Sequence, residues 1–393
     1  MLVRHLGLKD FRNYEIAEVD LDRGANVFSG SNGQGKTNLV EALGYLSTLG
    51  SHRVATDAAM IRNGEDAAII RARIEHESRT ISLEVQLNRA SANRAQANGA
   101  MIRPKELPRY FSSVLFAPED IALVRGEPSG RRRFLDEVLV LRSPRLSGVM
   151  ADYDRVLKQR NTLLKSARNS GLSSSQLGTL DVWDERLIGF GAELIHARST
   201  LVAELSPEVA VAYETVAGVG QSATLSQNLS ILSHSADDEV IDDSALRDSA
   251  ISIDEAIDAF TRSLSGLRRT ELSRGQTLVG PHRDDLIVLL NGTPARGYAS
   301  HGESWSLALA LRLGSATLLR RESISGDPVL ILDDVFAELD EARRGRLAGA
   351  VHDFEQVLVT AAVIDDVPRE LAGTTVTIAN GRIVGRENAV SGD

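Results

Sequence analysis

The hydrophobic positions of this chain follow two periods, and their distribution divides it into three stretches. Leu2, Val3, Leu6 and Leu8 alternate with polar residues, so residues 1–28 read as two strands joined by Asp10-Phe11-Arg12-Asn13-Tyr14. Ile69 to Ile74 and Ile81 to Leu87 are strand-like, the second with clean period-two alternation, and Asn98-Gly99 signals a type I′ hairpin before Met101-Ile102. Val114 to Asp120 reads as a buried strand ended by Pro118.

From about Ile121 to Arg274 the period is helical, most clearly at Phe134–Leu139 and Leu157–Leu164. Two straight antiparallel helices of this stretch would each run on the order of 100 Å at 1.5 Å per residue. Gly171-Leu172-Ser173-Ser174-Ser175 and Gly218-Val219-Gly220-Gln221-Ser222 interrupt it, and no heptad persists, so a compact helical lobe is expected. Asp237-Asp238-Glu239 and Asp242-Asp243 read as an acidic solvated loop.

Strand signals return at Thr277–Gly280 and at Leu286–Leu290, the latter closed by Asn291-Gly292. A helix follows from Ser304 to about Arg321, then core strands at Val329–Leu332 and Val357–Thr360 and a last strand at Val376–Ile378. The pattern predicts an α/β head built from residues 1–120 and 275–393, with an antiparallel β edge and a mainly helical lobe, 121–274, inserted between the two parts.

Within the head, Val27-Phe28 runs into Gly30-Ser31-Asn32-Gly33-Gln34-Gly35-Lys36-Thr37, followed by the helical Asn38–Leu43. This is the phosphate-binding pattern G-x-x-x-x-G-K-T. Glycines 30, 33 and 35 permit positive φ, so that successive N–H groups point inward at phosphate oxygens, and the helix adds its positive end. Lys36 is expected to reach the β/γ-phosphates of ATP and Thr37 to place its hydroxyl on Mg²⁺. Val329–Leu332 then delivers Asp333 and Asp334 to the end of an apolar strand, with Glu338-Leu339-Asp340 beyond. Alone, such a pair is usually a solvated turn; beside a P-loop it reads as Walker B, with Asp333 for Mg²⁺ and Asp334 for the attacking water.

Ser300-His301-Gly302-Glu303 opens a helix. It fits a capping box and also the signature motif of ATP-binding-cassette proteins, and the order P-loop, helical insert, this motif, Walker B favours the second.

Composition narrows the class. The 393 residues suit two domains, and 42% hydrophobic with 25% charged residues is the balance of a soluble globular protein. No run approaches the roughly 20 apolar residues of a membrane span, the N-terminus does not read as a signal peptide, and there is no cysteine, so a cytoplasmic protein is expected. A net charge of −10 argues against bulk electrostatic binding of nucleic acid and leaves room for a local basic face; the best cluster is Arg131-Arg132-Arg133 with Arg142 and Arg145.

Taken together, the chain resembles the RecF family of bacterial recombination mediators. The resemblance runs through Lys9–Tyr14, Gly30–Asn38, Phe116–Asp120, Arg131-Arg132-Arg133-Phe134-Leu135-Asp136, Gly280-Pro281-His282-Arg283-Asp284-Asp285, Tyr298-Ala299-Ser300 and Leu332–Asp334 with Glu338–Asp340, and is weakest over about 165–270. It implies an SMC-like head without the long coiled coil, which binds ATP, dimerises head to head around two nucleotides, holds double-stranded and junction DNA while dimeric, and hydrolyses slowly to release it. It implies nucleotide contacts from Arg12, Gly30–Asn38 and, toward the partner's nucleotide, Ser300 and Gly302, with Glu119-Asp120 in the place of the Q-loop. It also implies work with RecO and RecR in loading RecA at single-strand gaps, support of replication and the SOS response, and a nucleoid-associated location.

Three departures stand out: His301 and Glu303 in a signature that is usually Ser-Gln-Gly-Gln, no Gln in the Q-loop place, and Thr360-Ala361-Ala362 where many relatives carry a switch histidine. The alternatives are an energy-coupling transporter subunit, against which the long lobe and missing histidine speak, and a nuclease-coupled ATPase, for which little chain remains after Asp340.

Overall fold

The structure, a computed structural model, describes residues 1–77, 79–170, 174–233, 245–323 and 326–387. It divides into two compact units. One comprises Met1–Ile121, Val211–Gly220 and Trp305–Asp393; the other comprises Ala122–Ala210 and Gln221–Ser304.

In chain order the first unit opens with β1 (Leu2–Phe11), β2 (Tyr14–Asp20), β3 (Gly24–Ser29) and α1 (Lys36–Thr48). Three strands therefore stand where two were expected, because the chain turns again before Gly24, at φ 79°. β4 (Ala67–His76), β5 (Arg79–Asn88), β6 (Arg94–Ala97) and β7 (Ala100–Ile102) follow, then β8 (Ser113–Phe116). An antiparallel sheet of order β2-β1-β4-β5-β6-β7 forms the expected β edge. Leu83, Val85 and Leu87 bury one face of β5, and Asn98-Gly99 turns with φ of 50° and 78°, as a type I′ hairpin requires.

The second unit takes up α2 (Ile121–Arg125), α3 (Pro128–Arg142), α4 (Leu146–Ser170) and most of α5 (Ser174–Ala217). It adds β9 (Ala223–Asn228), β10 (Leu246–Arg247), α6 (Ile253–Arg274), β11 (Asp285–Leu290) and β12 (Thr293–Pro294). α5 ends where Gly218 and Gly220 predicted a break, but its 44 residues correspond to a run of roughly 66 Å at 1.5 Å per residue. Gly171–Ser173 and the acidic loop at Asp237–Asp243 lie outside the described residues.

Three expectations are corrected here. The stretch 121–274 is not wholly helical, since β9 and β10 join β11 and β12 in a sheet of order β10-β9-β11-β12. Thr277–Gly280 is an irregular, bent segment rather than a strand, with Leu278 and Val279 buried. Residues 275–304 group with the second unit, not with the head, because β11 pairs along its whole length with β9. The alternation that marks β9 (Ala223, Leu225) spans too few apolar positions to stand out beside long helices.

Buried arginines knit this unit. Arg160 of α4 is 1% exposed and bonds Asp184 of α5 at 2.6 Å, Glu271 of α6 at 2.6 Å and Thr277 at 2.8 Å. Arg198 bonds Asp136 through two nitrogens and donates to the Pro281 carbonyl. Removing one partner from such a buried set would strand a charge, at a cost of about 3–5 kcal/mol.

α7 (His301–Glu322) leads back to the first unit and to β13 (Val329–Asp333), α8 (Glu341–Val351), β14 (Gln356–Ala361), β15 (Thr374–Ala379) and β16 (Arg382–Glu387). β15 is thus not the last strand; Asn380-Gly381, both at positive φ, turn it into β16. The second sheet has the order β16-β15-β3-β14-β13-β8 and is parallel from β15 to β8. It draws strands from both ends of the chain, as predicted. β13 and β14 are buried at every position, which explains their uninterrupted apolar runs.

Candidate nucleotide-binding site

Because β3, β14 and β13 run parallel and side by side, their C-terminal ends bring three segments to one edge of the sheet. These are the loop after β3, Thr360 near the end of β14, and Asp333 at the end of β13, with Asp333 in register with Thr360.

The loop adopts the conformation its glycines allow. Gly30, Gly33 and Gly35 have φ of 152°, 79° and 120°. A Cβ at Gly30 would lie 2.3 Å from the Ile378 carbonyl, and one at Gly35 would lie 2.7 Å from the Tyr14 hydroxyl. Tyr14 donates to the Gly35 carbonyl at 3.1 Å, Asn13 Nδ2 to the Gln34 carbonyl at 3.0 Å, and the Gly381 amide to the same carbonyl at 3.0 Å. The loop is fixed from outside, and α1 begins directly beneath it at Lys36. The Lys36 ammonium is buried and rests 3.4 Å from both the Ser31 carbonyl and Asn32 Oδ1. Asn38 Nδ2 bonds Asn13 Oδ1 at 2.8 Å.

Thr37 Oγ1 donates to Asp333 Oδ1 at 2.9 Å, and Thr360 Oγ1 donates to the same oxygen at 2.7 Å. Thr360 Oγ1 in turn accepts from the Asp334 amide at 2.9 Å. Asp334 sits in the left-handed region, φ 51° and ψ 21°, a conformation aspartate tolerates better than most side chains. Burial pushes the Asp334 carboxyl up, the Lys36 charge opposes this, and neighbouring Asp333 adds to it. Among the described residues no group of three or more His, Cys, Asp or Glu side chains could hold a metal ion. One hydroxyl and one carboxylate beside a phosphate cradle is nevertheless the donor set that suits Mg²⁺, which takes few protein ligands and shares the rest with phosphate and water.

The other predicted residues are placed as follows. Arg12, at φ 55°, turns its guanidinium onto buried Glu41 of α1, at 2.8 and 2.5 Å, and onto the Ala59 carbonyl at 2.9 Å. In the Q-loop place, Asp120 is structural: it accepts the Ala117 amide and Arg312 of α7. Glu119 is exposed.

In the second unit, Ser300 and Glu303 form the capping box at the start of α7. Glu303 accepts the Ser300 amide at 2.8 Å and Gln221 Nε2 at 2.9 Å, and its own amide reaches Ser300 Oγ at 3.3 Å. Gly302 lies in the first turn of the same helix. Arg125, which the sequence did not single out, holds this turn by donating to Ser304 Oγ at 2.9 Å and to the Ala299 carbonyl at 3.0 Å. The proposed basic cluster is mostly committed within the protein: Arg131 is buried against Asp285, Arg132 donates to the Asp284 carbonyl, and Arg133, Arg142 and Arg145 pair with Glu137, Glu204 and Glu193.

A parallel sheet of this order, with a phosphate loop after one strand and a buried aspartate after the next but one, defines a P-loop ATPase head of the SMC type with an inserted lobe. Residues 2–377 match the family model described as RecF/RecN/SMC N terminal domain. The sequence is 62% identical over 387 residues to the DNA replication and repair protein RecF of Clavibacter michiganensis subsp. michiganensis, covering 98% of this chain and 96% of that one. It is 62% identical over 384 residues to RecF of Leifsonia xyli subsp. xyli, covering 98% and 99%. The chain belongs to the RecF family of DNA replication and repair proteins. Its fold matches the recombination mediator protein RecF-ATPrS of the RecFOR pathway with a TM-score of 0.84 at 25% identity, covering 97% of both chains. The Smc head domain of Pyrococcus furiosus matches with a TM-score of 0.53 at 14% identity over 98% of this chain and 96% of that one, a likeness of fold alone. The end-to-end match to DNA replication and repair proteins does not favour the transporter-subunit alternative.

His52 and Thr360 also belong to the neighbourhood of Asp333 and escaped the sequence reading as site residues. In the sequence Thr360 stands out only as the residue in place of a switch histidine; the register of two apolar parallel runs, Leu330–Asp333 beside Val357–Thr360, is the signal that places it at the site.

Proposed function

We infer that this chain is an ATP-switched DNA-binding protein of recombinational repair. The reading is carried by the 2.9 Å bond from Thr37 to Asp333, which joins the phosphate loop to the carboxylate strand across 296 residues of chain. ATP lies in the cradle of Gly30–Asn38, with Lys36 at the β/γ-phosphates. Thr37 and Asp333 hold Mg²⁺, which when bound neutralises phosphate charge. Asp334 faces the attacking water, and its raised carboxyl pKa is in keeping with a proton-accepting role. Arg12 reaches the site through Glu41 and α1 rather than directly.

Two copies associate head to head, Ser300 and Gly302 of one approaching the nucleotide held by the other. The capping box keeps Glu303 turned onto Ser300 N–H and Gln221, which lessens its repulsion of a partner's phosphates. The dimer binds double-stranded or junction DNA, and slow hydrolysis, stimulated by DNA, releases it. A threonine at 360 in place of a switch histidine fits slow turnover. In this role the protein acts with RecO and RecR to load RecA at single-strand gaps, supporting replication restart and the SOS response at the nucleoid. The ATP-bound RecF neighbours support the nucleotide part of this account.

The test of the nucleotide reading is Lys36→Ala. ATPγS affinity should fall by a factor of a hundred or more while the thermal melt stays within a few degrees of wild type, on the order of two or three charge-assisted hydrogen bonds to phosphate. Wild-type affinity in this variant would overturn the assignment.

A further inference from the structure

His52 follows α1 in the first unit, and its ring is packed against the carboxylate strand. The side chain is 14% exposed, and Nε2 lies 3.7 Å from Asp333 Oδ2. That nitrogen is buried and has no hydrogen-bond partner among the described residues. Thr37 and Thr360 both donate to Oδ1, so Oδ2 is the oxygen His52 faces.

The ring's position is set by its neighbours. Ser51 Oγ donates to Glu41 Oε1 of α1 at 2.5 Å and accepts the Arg53 and Val54 amides at 2.9 and 3.1 Å. Arg53 Nη1 donates to Asn38 Oδ1 at 2.9 Å. Residues on both sides of His52 are therefore anchored to the helix that begins in the phosphate loop, and the imidazole is carried with that loop. An imidazole nitrogen with its lone pair toward a carboxylate oxygen would be repelled, so a ring that carries a proton on Nε2 suits this position. A buried donor 3.7 Å from its acceptor lies just beyond hydrogen-bond reach. A packing residue at this point would not need a polar atom, and burying an unpaired one is unfavourable.

We propose that His52 is a positioning residue of the ATP site, whose Nε2–H engages Asp333 Oδ2 and fixes the orientation of the carboxylate that, on the reading above, holds Mg²⁺. Were Asp333 to hold the metal, His52 would steady it from behind as a hydrogen-bond donor, a kind of partner whose loss typically weakens metal binding by 10–100-fold. Gln at 52 can present a side-chain N–H at a similar reach, Asn is too short, and Leu has no donor.

The experiment measures ATPγS affinity by calorimetry in excess Mg²⁺ and in excess EDTA, for wild type, Lys36→Ala, His52→Leu, His52→Asn and His52→Gln. The expected result is a Mg²⁺ enhancement of affinity reduced about tenfold in His52→Leu and His52→Asn. His52→Gln should restore most of it, and affinity in EDTA should be unchanged in all three. Should His52→Leu fail to fold, the comparison of Asn with Gln carries the test. A wild-type Mg²⁺ enhancement in His52→Leu or His52→Asn, or equal losses with and without Mg²⁺, would overturn the proposal. Lys36→Ala separates the two layers: if it binds ATPγS like wild type, the P-loop reading fails first, whereas lost binding there with unchanged Mg²⁺ dependence at position 52 refutes His52 alone.

Discussion

Thr360→Val tests the junction between the two site strands with almost no change of shape. Thr360 is 1% exposed, and its hydroxyl donates to Asp333 Oδ1 at 2.7 Å and accepts the Asp334 amide at 2.9 Å. Valine keeps nearly the same volume, so no appreciable cavity forms, and the cost is polar. A hydrogen bond to an ionised carboxylate contributes about 1.5–3 kcal/mol, and orphaning a partly buried N–H costs about 1–3 kcal/mol. Asp333 keeps its bond from Thr37, which offsets part of the first loss. The net expectation is a destabilisation of about 2–4 kcal/mol, a large share of the roughly 5–15 kcal/mol that holds a domain folded. Urea unfolding of Thr360→Val beside Thr360→Ser, which retains the hydroxyl, gives the comparison. ATPγS affinity in EDTA should hold, because the loop amides and Lys36 are untouched, while ATP hydrolysis should fall as the Asp334 turn loosens. A loss of stability below about 0.5 kcal/mol, the size of an ordinary surface substitution, would refute the view that this hydroxyl fixes the two carboxylates.

Two further predictions concern other carboxylates. Asp334→Asn should bind ATP normally, hydrolyse it at least about a hundredfold more slowly, and accumulate as an ATP-bound dimer by light scattering; normal turnover would remove Asp334 from the chemistry. In the second unit, burial raises Asp284 to about 6 and lowers His282 to about 3. Between pH 3.8 and 6 the native state binds more protons at Asp284, so that group's contribution falls as pH rises; at His282 the unfolded state binds more, so its contribution grows. Each slope is about 1.4 kcal/mol per pH unit and the two oppose. Asp284→Asn should therefore make stability climb more steeply with pH from about 4 to 6, by about 3 kcal/mol over the window, and parallel urea-midpoint curves for the two proteins would contradict this.

The sequence was most legible where one residue type has one physical use. Gly30, Gly33 and Gly35 announced positive φ, and the loop has it at all three. Asn98-Gly99 announced its hairpin, and two all-apolar runs announced buried parallel strands. It was least legible where long-range pairing decides. β9 is a strand because β11 lies beside it, and β11 belongs to the second unit for the same reason, a fact no local window contains. Arginines misled in a related way. Arg131-Arg132-Arg133 reads as a cationic surface, yet Arg131 is 3% exposed against Asp285, whose place more than 150 residues away gives no local hint. His52 shows the same limit at the site, since no local window contains its approach to Asp333.

The central claim is that ATP joins two copies through Ser300 and Gly302, and sedimentation velocity of Ser300→Arg with ATPγS tests it most directly. Capture of ATPγS by the monomer should match wild type, because its own loop is intact. The protein should nonetheless remain monomeric and lose ATPγS-stimulated DNA binding, since ATP can drive association only through contacts it makes better in the dimer. Mixed with Lys36→Ala subunits, it should recover weak association through the one interface that pairs an intact loop with an intact signature. A Ser300→Arg protein that dimerises with ATPγS and holds DNA as wild type does would contradict the composite site and leave Ser300 as the cap of α7.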